Sequence, residues 1–232
     1  MNATTQFILI CLAVVGGLLL LAWLFERFLC KDRLRLSSPK YIATVAVSAA
    51  LAGILMLLEI PLLFLAPNFY KVDLSELPVL ICTFYLGPVA GVLTEFLKIL
   101  IKLLLKPSTT AFVGELANFV VGCALVMPAS MIYHAKRTRT NAIVGLAAGT
   151  AVMAVFGSLF NAVYLLPAFA EMFHMPLDAI VEMGTQINGN ITGLTTFVLF
   201  AVAPLNLIKG TVVSLLCLLL YKRVEPIMFK RS

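Results

Sequence analysis

Several stretches of this chain stay apolar for ~18 residues or more, the length a helix needs to cross a bilayer. The first, "QFILICLAVVGGLLLLAWLFERFL", occupies residues 6–29. Within hydrocarbon every backbone N–H and C=O must be bonded internally, which leaves helices or a closed barrel. A barrel would show short alternating segments, and none appear. The chain is therefore read as all-α, a polytopic membrane helical bundle. Composition agrees, since 62% of the 232 residues are hydrophobic and 12% charged; soluble domains run near one half and one quarter. The net charge of +6 then reads as basic residues at loop ends rather than as affinity for nucleic acid.

Residues 6–29 are too long for a signal-peptide core. No basic residue precedes them and no small-residue cleavage site follows, so a retained helix is expected. Further spans are expected at about 41–65, 77–88, 89–105, 112–134, 142–168 and 191–221. Pro61 and Pro67 fray the second, and the third ends near Gly87-Pro88.

With seven spans the basic loops fall on one side. They carry Arg27, Lys31, Arg33, Arg35 and Lys40; Lys136, Arg137 and Arg139; and Lys222, Arg223, Lys230 and Arg231. The opposite loops hold Lys71 and Lys106. The positive-inside rule places the N-terminus outside and the C-terminus in the cytoplasm. Residues 1–35 are set apart as an extra N-terminal transmembrane helix, and 36–232 form a six-helix unit. No internal repeat is visible.

The cysteines, Cys11, Cys30, Cys82, Cys123 and Cys217, are scattered without a CxxC pair. No disulfide framework and no metal site is expected from them or from His134 and His174. There is no GxxxxGK[ST], HExxH or GxSxG, so no phosphate loop for ATP and no signature of a membrane enzyme.

Polar residues concentrate toward the expected outer side. The second connection carries Asn68, Tyr70, Lys71, Asp73, Ser75 and Glu76, and the fourth carries Thr109, Thr110, Glu115 and Asn118. Three pairs sit three residues apart on helices and so share faces: Glu115 and Asn118, Asn161 and Tyr164, Asn206 and Lys209. For one Asn, interhelical glue is the simpler account. For Asn206 with Lys209 a ligand site is favoured, because a buried ammonium needs an explicit partner. Lys98, Lys102 and Lys106 form a stripe in which Glu95 can pair with Lys98; it reads equally as a salt-bridged face or as a coupling surface. Residues 42–55 are rich in small side chains. The pairs Ala46/Ala50 and Ala49/Gly53 suit close helix approach, by a partner or within the bundle.

Four motifs, "KVDLSELPVLICTFYLGPVAGVLTEFLKILIKLLL", "TTAFVGELANFVVG", "NAVYLLP" and "APLNLIKG", taken together and in order, resemble the riboflavin-binding S components of energy-coupling-factor (ECF) vitamin transporters, the RibU group. The likeness runs from about residue 40 to 222. It implies a six-helix subunit that captures riboflavin outside and releases it inside with a transmembrane coupling protein and two ABC ATPases. It also implies a cavity at the outer helix ends, capped by residues 66–76, with riboflavin as transported ligand rather than cofactor. By match to the family's PFN-x-x-K-G pattern, in which Leu205 replaces the usual Phe, Asn206 and Lys209 become ligand contacts, as do Asn118 and Asn161. Ala46, Ala50 and their neighbours, Ala49 and Gly53 among them, would dock on the coupling protein. An Asn amide can pair with the flavin's pyrimidine edge, the ribityl hydroxyls can take Lys209, and Leu74, Leu77, Leu165, Tyr164 or Phe112 would complete the walls. Glu115 is expected to balance Lys209 when no ligand is bound. The rival readings are an S component for another vitamin, an unpartnered channel and a membrane enzyme.

Overall fold

Helix starts are written locally. Ser38 Oγ accepts the Tyr41 N–H at 3.3 Å with Pro39 at the first helical position, and Thr138 Oγ1 accepts the Asn141 N–H at 3.2 Å; both fix orphan donors of a first turn. A computed structural model describes residues 3–29, 36–108, 110, 112–172 and 174–228, with side chains described for all but 3–8, 29, 172 and 222–228. Expectations resting on Cys30, Lys31, Arg33, Arg35, Thr109, Lys230 and Arg231, and on the side chains of Lys222 and Arg223, lie outside the described residues.

The helices are α1 (Ala3–Leu29), α2 (Pro39–Leu57), α3 (Glu76–Leu86), α4 (Pro88–Leu105), α5 (Val113–Ala135), α6 (Arg139–Phe160), α7 (Leu166–Met172), α8 (Leu177–Thr185), α9 (Leu194–Phe197) and α10 (Ala203–Met228). Among the described residues, five stretches are long and apolar enough to cross a membrane: Leu9–Phe28, Pro39–Leu57, Val113–Ala135, Arg139–Glu171 and Leu194–Tyr221. The all-α membrane bundle stands, with changes of detail. The second span ends at Leu57, and the loop after it pairs β1 (Ile60–Pro61) with β2 (Lys71–Val72), antiparallel, with Ile60 opposite Val72. The segment between the last two spans, expected as a connection, contains the rest of α7 and all of α8. The last two spans are each interrupted by a π turn, at Asn161–Leu165 and Val198–Val202.

Helix α3 has 11 residues, about 16 Å at 1.5 Å per residue, too short for a core of about 30 Å. It is instead enclosed by the other helices, with Leu77, Val79, Leu80, Cys82 and Phe84 buried. Gly87 turns the chain from α3 into α4 with φ of 123°, which favours glycine. A Cβ there would also lie 3.0 Å from a carboxylate oxygen of Glu26. That oxygen accepts the Val89 N–H at 3.0 Å, so α1 is fastened to the start of α4. Helices α5 and α6 pack backbone to backbone. A Cβ at Gly149 would fall 2.4 Å from the Leu125 carbonyl and one at Gly145 2.6 Å from that of Ala129. Small residues allow such contact between membrane helices.

Two ends can be told apart. At one, Phe84 stacks on Tyr133 with ring centroids 4.5 Å apart, and the Tyr133 and Tyr221 hydroxyls meet. The basic residues Arg27, Lys40, Lys136, Arg137 and Arg139 flank this end, at the end of α1, the start of α2 and the α5–α6 connection. At the other, the β1–β2 loop, α7 and α8 close over a second apolar cluster that includes Tyr70, Leu165, Phe169, Ile180 and Phe197.

Candidate functional site

Beneath the β1–β2 loop lies a cavity of about 130 Å³ lined by Asn118 of α5, Asn161 of the first π turn, and Asn206 and Lys209 of α10. Phe69, Tyr70, Phe169, Leu165 and Leu205 supply its apolar walls. A second cavity of about 300 Å³ shares Phe69, Lys71, Gly114, Asn118 and Phe169 with the first and extends toward Glu59, Lys102, Lys106 and Glu115. Together they reach the scale of small-molecule sites, roughly 300–1,000 Å³.

Asn161 is held at both ends of its amide. Its Oδ1 accepts from the Tyr70 hydroxyl at 2.7 Å, and its Nδ2 donates to the Gly157 carbonyl at 2.7 Å. Burial raises the Tyr70 phenol far above its ordinary range, so the group stays a neutral donor. Gly157 is also where Asn206 fits, because a Cβ there would come within 2.8 Å of Asn206 Nδ2. Asn118 Oδ1 and Asn206 Nδ2 are buried and have no hydrogen-bond partner among the described residues. Buried polar atoms are normally satisfied, which makes one acceptor and one donor on this wall unusual.

Lys209 pairs with Glu76 at 2.8 Å and Asp73 at 3.2 Å. The expected balance by Glu115 is thereby corrected. Glu115 instead pairs with Lys102 and accepts from Ser108 and Thr110, because α4 rather than α10 flanks that part of α5. The lysine stripe is salt-bridged, with Lys98 and Lys102 buried and Lys106 half-exposed at its end. Lys98 lies 2.5 Å from Glu95 and 3.4 Å from Glu76, and Lys106 lies 3.2 Å from Glu59. Asp73 is buried, which alone would push its carboxyl up; the charges of Lys209 and Lys98 and its bonds to Ser75 outweigh this and hold it below the usual carboxylate range. At Glu59 burial is likewise overcome, by Lys71 and Lys106.

Other expected wall residues lie elsewhere. Over Asn161–Leu165 the backbone bonds i to i+5, the Leu166 N–H reaching the Asn161 carbonyl, so three-residue spacing no longer gives one face. Tyr164 consequently lines an apolar groove with Ile10, Val14 and Leu18 of α1. Phe112 faces a neighbouring groove against Cys11 and Val15. Leu74 and Leu77 pack into the central core. Leu165 does line the cavity. Of the residues that sequence reasoning did not single out as walls, Phe69 and Phe169 meet edge to face at 5.6 Å. The signal available was the adjacent aromatic pair Phe69-Tyr70 in an otherwise polar loop.

On α2, Ala46 and Ala50 are exposed along a free face, while Ala49 and Gly53 are buried. A Cβ at Gly53 would meet Ile101 of α4 at 2.7 Å. Ala49 and Gly53 therefore belong to packing inside the bundle, because the 3.6-residue period turns them toward α4 and away from the face of Ala46 and Ala50.

A family model of the ECF transporter, substrate-specific component, matches residues 40–221, beginning after α1. The riboflavin transporter RibU of Staphylococcus aureus (strain TCH60) is 32% identical over 194 residues, covering 84% of this chain and 95% of that protein. The riboflavin transporter FmnP of Bacillus subtilis (strain 168) is 29% identical over 188 residues, covering 81% and 93%. A solved S component of a bacterial ECF transporter is similar with a TM-score of 0.64 at 32% identity, covering 83% of this chain and 98% of that one.

Proposed function

Because this chain belongs to the substrate-specific components of ECF transporters, we propose that it is the membrane subunit that captures riboflavin outside the cell and releases it inside. The observation that carries the reading is the meeting of Asn118, Asn161, Asn206 and Lys209, from three parts of the chain, at one cavity between aromatic walls. The flavin edge presents one N–H flanked by carbonyl acceptors. Asn118 Oδ1 and Asn206 Nδ2 offer a matching acceptor and donor. The ring system lies among Phe69, Phe169, Leu165 and Leu205, and the ribityl hydroxyls reach Lys209 and the polar wall toward Lys71. The β1–β2 loop is the cap, held by Tyr70 on Asn161 and, just past β2, by Asp73 on Lys209.

The cavity end faces outward and the end with Arg27, Lys136 and Arg137 faces the cytoplasm, in keeping with the positive-inside rule. Ala46 and Ala50 present the flat face on which a transmembrane coupling protein docks, and two ABC ATPase subunits supply the driving force. The chain itself is not an enzyme in this scheme.

The reading is tested by purifying the protein and taking the absorbance spectrum of the small molecule it releases on denaturation, then titrating the emptied protein calorimetrically with a panel of vitamins. A flavin spectrum and saturable heat with riboflavin are expected. A different released vitamin, with no heat from riboflavin, would sink the substrate assignment while leaving the family intact.

A further inference from the structure

Five ionisable side chains form a group that starts in the cavity walls, at Asp73 and Lys209, and runs behind them. The carboxylates are Asp73, Glu76 and Glu95; the ammoniums are Lys98 and Lys209; all five are buried. The ion pairs run Glu95–Lys98 at 2.5 Å, Lys98–Glu76 at 3.4 Å, Glu76–Lys209 at 2.8 Å and Lys209–Asp73 at 3.2 Å. The nearby Lys102–Glu115 pair is balanced in itself. Three acids therefore face two bases, and a net charge held away from water is costly.

We propose that this group holds one proton, on Glu95, in the folded protein. The three carboxyls are not equally equipped to stay ionised. Asp73 accepts the Ser75 N–H at 2.8 Å as well as Lys209, and Glu76 has both ammoniums and the Ser75 hydroxyl. Glu95 has Lys98 alone, no backbone N–H or hydroxyl donates to its oxygens among the described residues, and its carboxyl lies against Gly122, where a Cβ would meet it at 2.8 Å. The groups facing Glu95 are Lys98 of its own helix, Glu76 of α3, Lys209 of α10 and the Cys123 thiol of α5, with Asp73 of the loop beyond Lys98 and Lys209. A metal cation fits less well than a proton. The Lys98 ammonium already occupies the space between Glu95 and Glu76, and among the described residues no three His, Cys, Asp or Glu side chains converge as a cage. The proton comes from solvent on folding and needs no further reactant. Lys209 belongs both to this group and to the cavity wall, so the proton sits at the far end of a chain of charges that begins at the site.

Infrared difference spectroscopy of the purified protein at neutral pH, in H₂O against D₂O, tests the assignment. Wild type should show one equivalent of the carbonyl stretch of a protonated carboxylic acid. Glu95→Gln should remove that band and change riboflavin affinity by no more than about threefold, a small free-energy difference. Glu76→Gln should also remove it although Glu95 remains, because with one acid fewer Glu95 ionises. Absence of the band in wild type, or its survival in Glu95→Gln, overturns the proposal. So does a wild type lacking the band that is stabilised by sodium chloride relative to choline chloride, which would assign the site to a cation.

Discussion

Tyr70 and Asn161, 91 residues apart in sequence, are joined at 2.7 Å by a hydrogen bond from the phenol to the amide oxygen. One residue belongs to the loop over the cavity and the other to the first π turn, so this bond ties the cap to the wall. Tyr70→Phe keeps the ring and removes the donor. The variant should lose roughly 1–3 kcal/mol of stability, the usual effect of leaving a buried acceptor unpaired, and should release riboflavin faster. Thermal unfolding and a stopped-flow dissociation rate check this; an unchanged release rate would mean the loop is held by its other contacts.

Asn206 and Lys209 should separate on mutation. Asn206 Nδ2 has no internal partner among the described residues, so Asn206→Ala should weaken riboflavin binding by roughly one to two powers of ten with little change in melting temperature. Lys209→Met strands Asp73 and thins the partners of Glu76. Breaking a buried pair in this way costs about 3–5 kcal/mol, so yield and thermal stability should fall first. Calorimetric titration beside thermal unfolding distinguishes them.

The two faces of α2 make a matched comparison. Ala46→Trp or Ala50→Trp, on the exposed face, should leave ligand binding by the isolated protein intact and abolish uptake by cells. Ala49→Trp forces a ring into the buried face of α2 and should destabilise by about 1–3 kcal/mol or more. Normal uptake by both exposed-face variants would remove the docking assignment.

Removing residues 1–35 deletes the Glu26 carboxylate from the Val89 N–H but none of the cavity residues. Binding should persist with riboflavin affinity within about threefold of wild type, while melting temperature falls. Glu26→Ala should reproduce part of the fall. Loss of binding by a well-folded truncation would show that α1 shapes the site.

Glu59 supplies a pH test. Its carboxyl is held below the ordinary value by Lys71 and Lys106 against the opposing effect of burial. A lowered folded-state value means its stabilising contribution is present above the unfolded carboxylate range, near 4, and disappears as pH falls through the folded value. Glu59→Gln should therefore lower stability at neutral pH and flatten its decline on acidification, measured as melting temperature against pH.

Membrane embedding was legible because it depends on summed hydropathy, which tolerates local error. Asn118, Asn161, Asn206 and Lys209 were legible as polar residues inside apolar runs, where each needs a partner. What was hidden is geometric. Tyr164 left the expected face because the π turn alters the angular spacing. Ala49 and Gly53 looked like Ala46 and Ala50 because small residues cover both sides of α2. The partners of Lys209 come from the loop before α3 and from its first residue, and no local pattern announces a contact that distant. Helix α8 is short, with Ile180 and Gly184 buried on one side, too little periodic sequence to stand out between two spans.

Each π turn carries one residue more than an α-helical turn would hold, and each residue of an α-helix is worth about 100° of rotation. The two turns touch one another near the cavity. Everything beyond the first, including Phe169, is thus aimed by residue count rather than by side-chain choice. Point substitutions change what the wall is made of, whereas an inserted or deleted codon in the turn would swing Phe169 to another bearing. The cavity wall is thereby open to two kinds of heritable change, and the second moves in jumps of a quarter turn or so.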